Sequence, residues 1–470
     1  MIFLAQPILA FELAAEDDSD PTTRQARWET QQATYAHEDG VTAVPGAQLS
    51  FVDPPAVPAA DPPSASTAPA EPAQNAEYFT LDELRGEMKK LAWTKGDFTI
   101  TPYGILWSDM AWETARSVNG DYVLYVQRPR QNTEEQFHLD ARSTRLGFDV
   151  LGPKICAWGE AQTGGKVEID FQRIIDTENR ASVLLRHAYL EVKSEDYRLL
   201  MGQTWDVISP LYPGVLFYTV GWDGGNIGYR RAQARAERHF AMSDALLLTA
   251  QGSLNVEIVS DISSATPATF VGDHSGWPLI EGRIASTFGP RGQGCHPVQV
   301  GVSGHIGETT FDFRSPPFLQ AITGSAKRTW SLNTDIHVPI SSRFGVQGEL
   351  WMGQNLATFF GGIGQGADVL GTATQPPTGD AIFSRGGWVD VWYDWTPRLH
   401  SHAGYSIDDP IDADVTSGRI YNAFVFANLS YDVTQKFLVG FEFTSWRTLW
   451  KGPSADAPDQ HFDFVAKYGF

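Results

Sequence analysis

The last ten residues, HFDFVAKYGF (461–470), set Phe462, Phe464, Ala466, Tyr468 and Phe470 on one face of an extended chain and Asp463 and Lys467 on the other. Successive strand side chains point to opposite faces, so this is a period-two amphipath that runs to the final residue. A terminal residue is ordinarily frayed and polar. Here it is aromatic and belongs to the pattern.

The same period recurs upstream. Val425, Ala427, Leu429 and Tyr431 alternate with Phe426, Asn428, Ser430 and Asp432, and Val389, Val391, Tyr393 and Trp395 alternate with Asp390 and Asp394. One such strand proves little, because a half-solvated sheet alternates likewise. The count and spacing decide more. Sixteen alternating runs are read near 97–114, 134–151, 154–171, 181–193, 197–210, 227–240, 245–258, 277–289, 297–312, 327–340, 344–358, 386–396, 399–409, 420–433, 437–451 and 459–470. Seven connectors are short, beginning with Gly152-Pro153, and eight are long and rich in Gly, Pro and Asp, such as 211–226, 259–276 and 359–385. An even strand count with alternating short and long connections predicts an all-β fold, a transmembrane antiparallel β-barrel over 96–470.

Composition agrees and excludes other classes. The chain has 470 residues, is 12% aromatic, and carries 44 Gly but 2 Cys. No window supplies the roughly 20 apolar residues of a membrane helix. A net charge of -21 with no basic stripe argues against nucleic acid. Cys156 and Cys295 fit no metal-ligand spacing, and neither a metal nor a cofactor is expected.

Residues 1–79 form an acidic and Pro/Ala-rich leader that cannot bury enough apolar area to fold, and it is read as disordered. Its apolar start within 1–15 lacks a basic region, and reads equally as the remnant of a clipped or mis-started signal peptide or as no signal at all. Thr80 and Glu83 have capping-box spacing, which predicts a short helix in 80–95, over 81–91.

The terminal FDFVAKYGF, the run Ser143-Thr-Arg-Leu-Gly-Phe-Asp149, Arg186-His-Ala-Tyr-Leu-Glu191 and Gly202-Gln-Thr-Trp-Asp206 together resemble the sixteen-stranded outer-membrane porins, in particular the trimeric DcaP-like kind. The resemblance covers residues 80–470. It implies a homotrimer in bacterial outer-membrane lipid, passing small hydrophilic solutes without enzymatic chemistry, and it makes Phe462, Phe464, Tyr468 and Phe470 the assembly signal. It also implies that loop 211–226 folds into the lumen as the constriction, bringing Tyr212, Phe217, Tyr218, Trp222 and Asp223. The alternative is an ordinary external loop or a trimer contact.

Strand parity assigns the pore lining, since charge on the lipid face costs about 2–4 kcal/mol at midplane. Ala232, Ala234 and Ala236 turn Arg231 and Arg235 inward, and Leu146, Phe148 and Val150 turn Arg145 inward. Arg186 is assigned inward by the resemblance. These four arginines are expected to form a ladder on one wall, facing Glu349, Asp390, Asp394 and Glu442 on the other. Such a transverse field would favour anions or carboxylates. The bland reading is solvated, unselective charge. The alternatives to a porin are a secreted β-rich binding module, sandwich or propeller, and an outer-membrane enzyme on a barrel scaffold. No G-x-S-x-G elbow occurs. Residues 408–414 read as a solvated acidic loop and 361–366 as a flexible one.

Overall fold

The computed structural model describes residues 92–129, 134–156, 159–172, 181–258, 270–274, 276–290, 296–313, 325–369, 375, 378–453 and 455–470. The leader 1–79, the helix expected over 81–91, and Cys295 lie outside the described residues. Trp93–Lys95 is a short strand rather than the end of a helix. It pairs with the following strand from Trp93↔Ile100 to Lys95↔Phe98 across a tight turn at Gly96, whose φ is 61°.

Sixteen antiparallel strands form the wall: β1 Phe98–Glu113, β2 Arg145–Ile155, β3 Ala161–Asp170, β4 Leu184–Lys193, β5 Tyr197–Trp205, β6 Arg230–Ser243, β7 Leu246–Asn255, β8 Leu279–Phe288, β9 Val298–Phe313, β10 Ser325–Pro339, β11 Phe344–Gln354, β12 Phe383–Asp394, β13 Leu399–Pro410, β14 Arg419–Thr434, β15 Phe437–Trp450 and β16 Asp456–Gly469. Each pairs with its sequence neighbour. β16 returns to β1 from Ile105↔Gly469 to Glu113↔His461 and closes the barrel. Closure satisfies every edge, which is the condition for strands to stand in lipid. A sandwich or a propeller is thereby ruled out.

Side-chain alternation sorts the two surfaces. On β1, Leu106, Met110 and Trp112 are exposed outward while Ile105, Trp107 and Ala111 are buried inward. Leu332, Ile336, Leu350, Val389 and Leu429 continue the exposed apolar belt. Buried polar residues such as Glu168, Asn333, Asp390 and Glu442 occupy the inside.

Two irregularities bear on the site. In β2 the register shifts between Leu151 and Lys154, so Gly152-Pro153 is a bulge inside a strand and not the turn expected there. Pro lacks the N–H that a regular ladder needs, so a bulge accommodates it. Between β3 and β4, Glu168 pairs with His187 while Ile169 pairs with Leu185, leaving Arg186 as the extra residue. A bulge lets two successive side chains point the same way, and Arg186 and His187 are both 2% exposed.

Candidate functional site

Residues 206–229, which join β5 to β6, fold into the barrel. Asp206 clamps the neck, its carboxylate accepting from Tyr229 N–H at 2.8 Å and from Arg231 Nε at 2.7 Å. Beyond it the loop is apolar and aromatic, so its faces need partners. Phe217 contacts Phe424 and Trp446 of the wall, and Trp222 stacks on Phe360 at 4.7 Å. Val215, Phe217 and Tyr218 join Tyr122, Val123, Leu124 and Val126 in one buried cluster. Those last four lie on or beside a small hairpin, Ser117–Asn119 with Val123–Val126. Gly225, at φ 134°, passes so close to the wall that a Cβ would stand 2.6 Å from Gly387 O and Ile407 N. Only glycine fits both constraints.

A loop without helix or strand must still satisfy its N–H groups. The acids of the far wall do this. Glu349 accepts from the Ser209 hydroxyl and, at 2.8 Å, from Leu211 N–H. Asp390 accepts from Gly214 N–H at 3.0 Å, and Glu442 from Leu216 N–H at 3.0 Å. On β8, Glu281 accepts from Val207 N–H at 2.6 Å. Glu349, Asp390 and Glu442 are at most 2% exposed. They are sockets for the loop rather than charges facing open water, which removes them from the expected transverse field. Asp394 stands apart, partly exposed and bonded to His400 Nδ1 at 2.6 Å.

The arginines are paired as well. Arg186 donates to Glu168 and, at 2.7 Å, to Asp170. Arg231 joins Asp206, reaches Thr358 O at 3.0 Å and lies 3.9 Å over the Phe359 ring. Arg235 meets Glu237 at 2.8 Å. Arg145, 2% exposed, lies 5.0 Å over the Trp107 ring. The expected ladder of unopposed guanidinium groups is therefore mostly a set of ion pairs.

The residue that parity reasoning missed is Arg230. It is 2% exposed, and its Nε, Nη1 and Nη2 make no hydrogen bond. Aromatic faces hold it, with Trp205 at 4.5 Å and Tyr229 at 4.7 Å. It lines one cavity together with Arg145, Arg186, Trp205, Tyr212, Tyr218 and Val220. Tyr218 donates to Asp170 at 2.7 Å and so completes the wall of that cavity. Asp223, the loop's acid, is 3% exposed; burial pushes its carboxyl up to about 7 against the pull of Arg419.

A second inserted segment, 355–369, was also missed. It is folded, not flexible: Phe359 and Ile363 are fully buried, and Ile363 N–H donates to Asp408 at 2.9 Å. Asp408 is accordingly buried at 0% exposure rather than solvated. At the chain end, Phe464 and Tyr468 are exposed on the outer surface and Phe462 packs 5.1 Å from Phe443. Phe470 N–H donates to Gly104 O at 3.0 Å, and its ring lies over Gly104, where a Cβ would meet it at 2.2 Å.

No protein-family description and no curated protein matches the sequence. Solved structures do resemble the barrel. The outer-membrane channel DcaP of Acinetobacter baumannii is similar at TM-score 0.60 and 17% identity, over 80% of this chain and 99% of that one. OmpF of Salmonella typhi, solved with daunomycin, is similar at 0.52 and 12%, over 81% and 100%. An anion-selective porin from Comamonas acidovorans follows at 0.50 and 10%, over 79% and 100%. At these identities the likeness establishes the fold: a sixteen-stranded barrel of the porin type, with an apolar outer face suited to lipid.

Proposed function

We propose that the chain is a passive outer-membrane channel for small hydrophilic solutes, with a preference for anions such as carboxylates. The observation that carries this is Arg230, a buried guanidinium whose three nitrogens make no hydrogen bond, beside Arg145 and Arg186 on one cavity. Glu168 and Asp170 are committed to Arg186, so the cavity keeps an excess of positive charge. A guanidinium stays charged at any relevant pH, and salt is what weakens its field. The cavity has room for about one water, so the guanidinium acts by its field on anions in the narrowed lumen rather than by enclosing them. Assembly as a homotrimer, and a role for Phe462, Phe464, Tyr468 and Phe470 as the insertion signal, rest on the resemblance to porins.

The test is the reversal potential of purified protein in planar bilayers under a salt gradient, for wild type and for Arg230→Ala. Wild type should prefer anions and the variant should shift toward cations. Arg231 and Arg235 are poorer probes, because Arg231 also holds the loop neck. Cation preference in wild type, or an unmoved potential in Arg230→Ala, refutes the reading.

A further inference from the structure

The seam where β16 returns to β1 gathers side chains of the metal-ligating type. Glu113 on β1 and Asp459 and His461 on β16 are at most 1% exposed, and one donor atom from each lies within 4.8 Å of the others. Each carboxylate is oriented by the chain that follows β1. Glu113 Oε1 accepts from Ser117 N–H at 3.2 Å, and Asp459 Oδ1 accepts from the N–H groups of Thr114 and Ala115, both at 2.9 Å. The remaining atoms Glu113 Oε2 and Asp459 Oδ2 make no hydrogen bond, and His461 Nε2 has only Asp463 Oδ1 nearby, at 3.4 Å. Leaving a buried polar atom unsatisfied costs about 1–3 kcal/mol. Two such oxygens beside a weakly engaged imidazole, all of them metal-ligating groups, call for a shared partner.

The surroundings sharpen the chemistry. Both oxygens of Asp463 also lack a hydrogen bond, and its Oδ1 is 3.4 Å from His461 Nε2. His138 Nε2 lies 3.4 Å from Glu113 Oε1, its ring covered by the backbone at Gly120. Imidazole among carboxylates selects a borderline transition cation over calcium or magnesium, which take oxygen alone.

We propose that Glu113, Asp459 and His461 hold a divalent first-row transition cation, for which zinc is the probe. Bonds of about 2.1 Å in a tetrahedron set donors roughly 3.4 Å apart, the spacing the three side chains would take up around the ion. The ion would then tie the closing seam to the root of the Ser117–Val126 hairpin, whose residues pack against the inserted loop. No spacing in the sequence signals such a site, because its ligands stand on the first and last strands of the barrel.

The experiment is calorimetric titration of zinc chloride into folded, EDTA-treated protein in detergent. Wild type should take up one zinc per chain. Glu113→Gln and Asp459→Asn keep an acceptor for Ser117, Thr114 and Ala115, and with His461→Gln each should weaken binding by about tenfold or more. Asp456→Asn, at an exposed ion pair on the same strand, should leave it unchanged. Absence of uptake in wild type, or undiminished binding in all three variants, overturns the proposal. Should the variants fail to fold, zinc-edge X-ray absorption of the wild-type complex decides: a nitrogen-containing shell supports the site, and an all-oxygen shell overturns it.

Discussion

Removing two of the sockets that hold the inserted loop should open the lumen. In the double variant Glu349→Ala with Glu442→Ala, the Ser209 hydroxyl and the N–H groups of Leu211 and Leu216 lose their acceptors. A hydrogen bond to a buried carboxyl group without charge contributes about 0.5–1.5 kcal/mol net, so three amount to roughly 1.5–4.5 kcal/mol. The bonds share one loop and are not strictly additive, which favours the lower figure. Even about 2 kcal/mol multiplies the undocked population by roughly thirty, at about 1.4 kcal/mol per tenfold. Two assays read this. Unit conductance in planar bilayers should rise, and chymotrypsin should cut at Phe217, Tyr218 or Trp222, which are buried in wild type. Glu349→Gln with Glu442→Gln keeps an acceptor at each socket and should change both readouts less. A folded, heat-modifiable Ala double variant with wild-type conductance and wild-type protection would refute the idea that these acids dock the loop.

Deleting Phe470 removes the ring that covers Gly104 and a seam hydrogen bond; the yield of heat-modifiable barrel in membranes should fall, and an unchanged yield counts against the insertion role. Asp223 gives the loop a pH dependence. Its carboxyl is held at about 7 when docked, against 3.8 for an ordinary aspartate, so docking binds the proton, is strongest below 3.8 and weakens as pH rises toward 7. Chymotryptic protection of the loop should therefore be greater at pH 5 than at pH 8, and Asp223→Asn should shrink that difference; an identical difference in the variant removes Asp223 from the explanation.

The barrel was legible because period-two alternation is a local property, written into each strand separately. Parity sets Arg231 and Arg235 opposite Ala232, Ala234 and Ala236, and those three alanines are the exposed ones. What parity cannot supply is the partner, since contacts across a lumen join residues far apart in the chain. Glu349 and Glu442 read as pore charges for that reason and prove to be loop acceptors. Arg186 lacked a clean alternation because it is the extra residue of a bulge, and Gly152-Pro153 imitates a turn while bulging a strand. Arg230 is out of phase with Arg231, so parity alone turns it outward; two successive arginines at the foot of an inserted aromatic loop are the usable signal.

The docking of the inserted loop fixes the path it takes along the wall. Val207, Leu211, Gly214 and Leu216 meet Glu281, Glu349, Asp390 and Glu442 in that order, at sequence separations of 74, 138, 176 and 226 residues. Amides and acids thus run in the same order, so the loop lies along the inner wall without doubling back, each acid holding the next stretch further round the ring. Tyr218 adds a fastening to β3, at Asp170. Moving one of these acids to another strand would break that order and oblige the loop to cross itself.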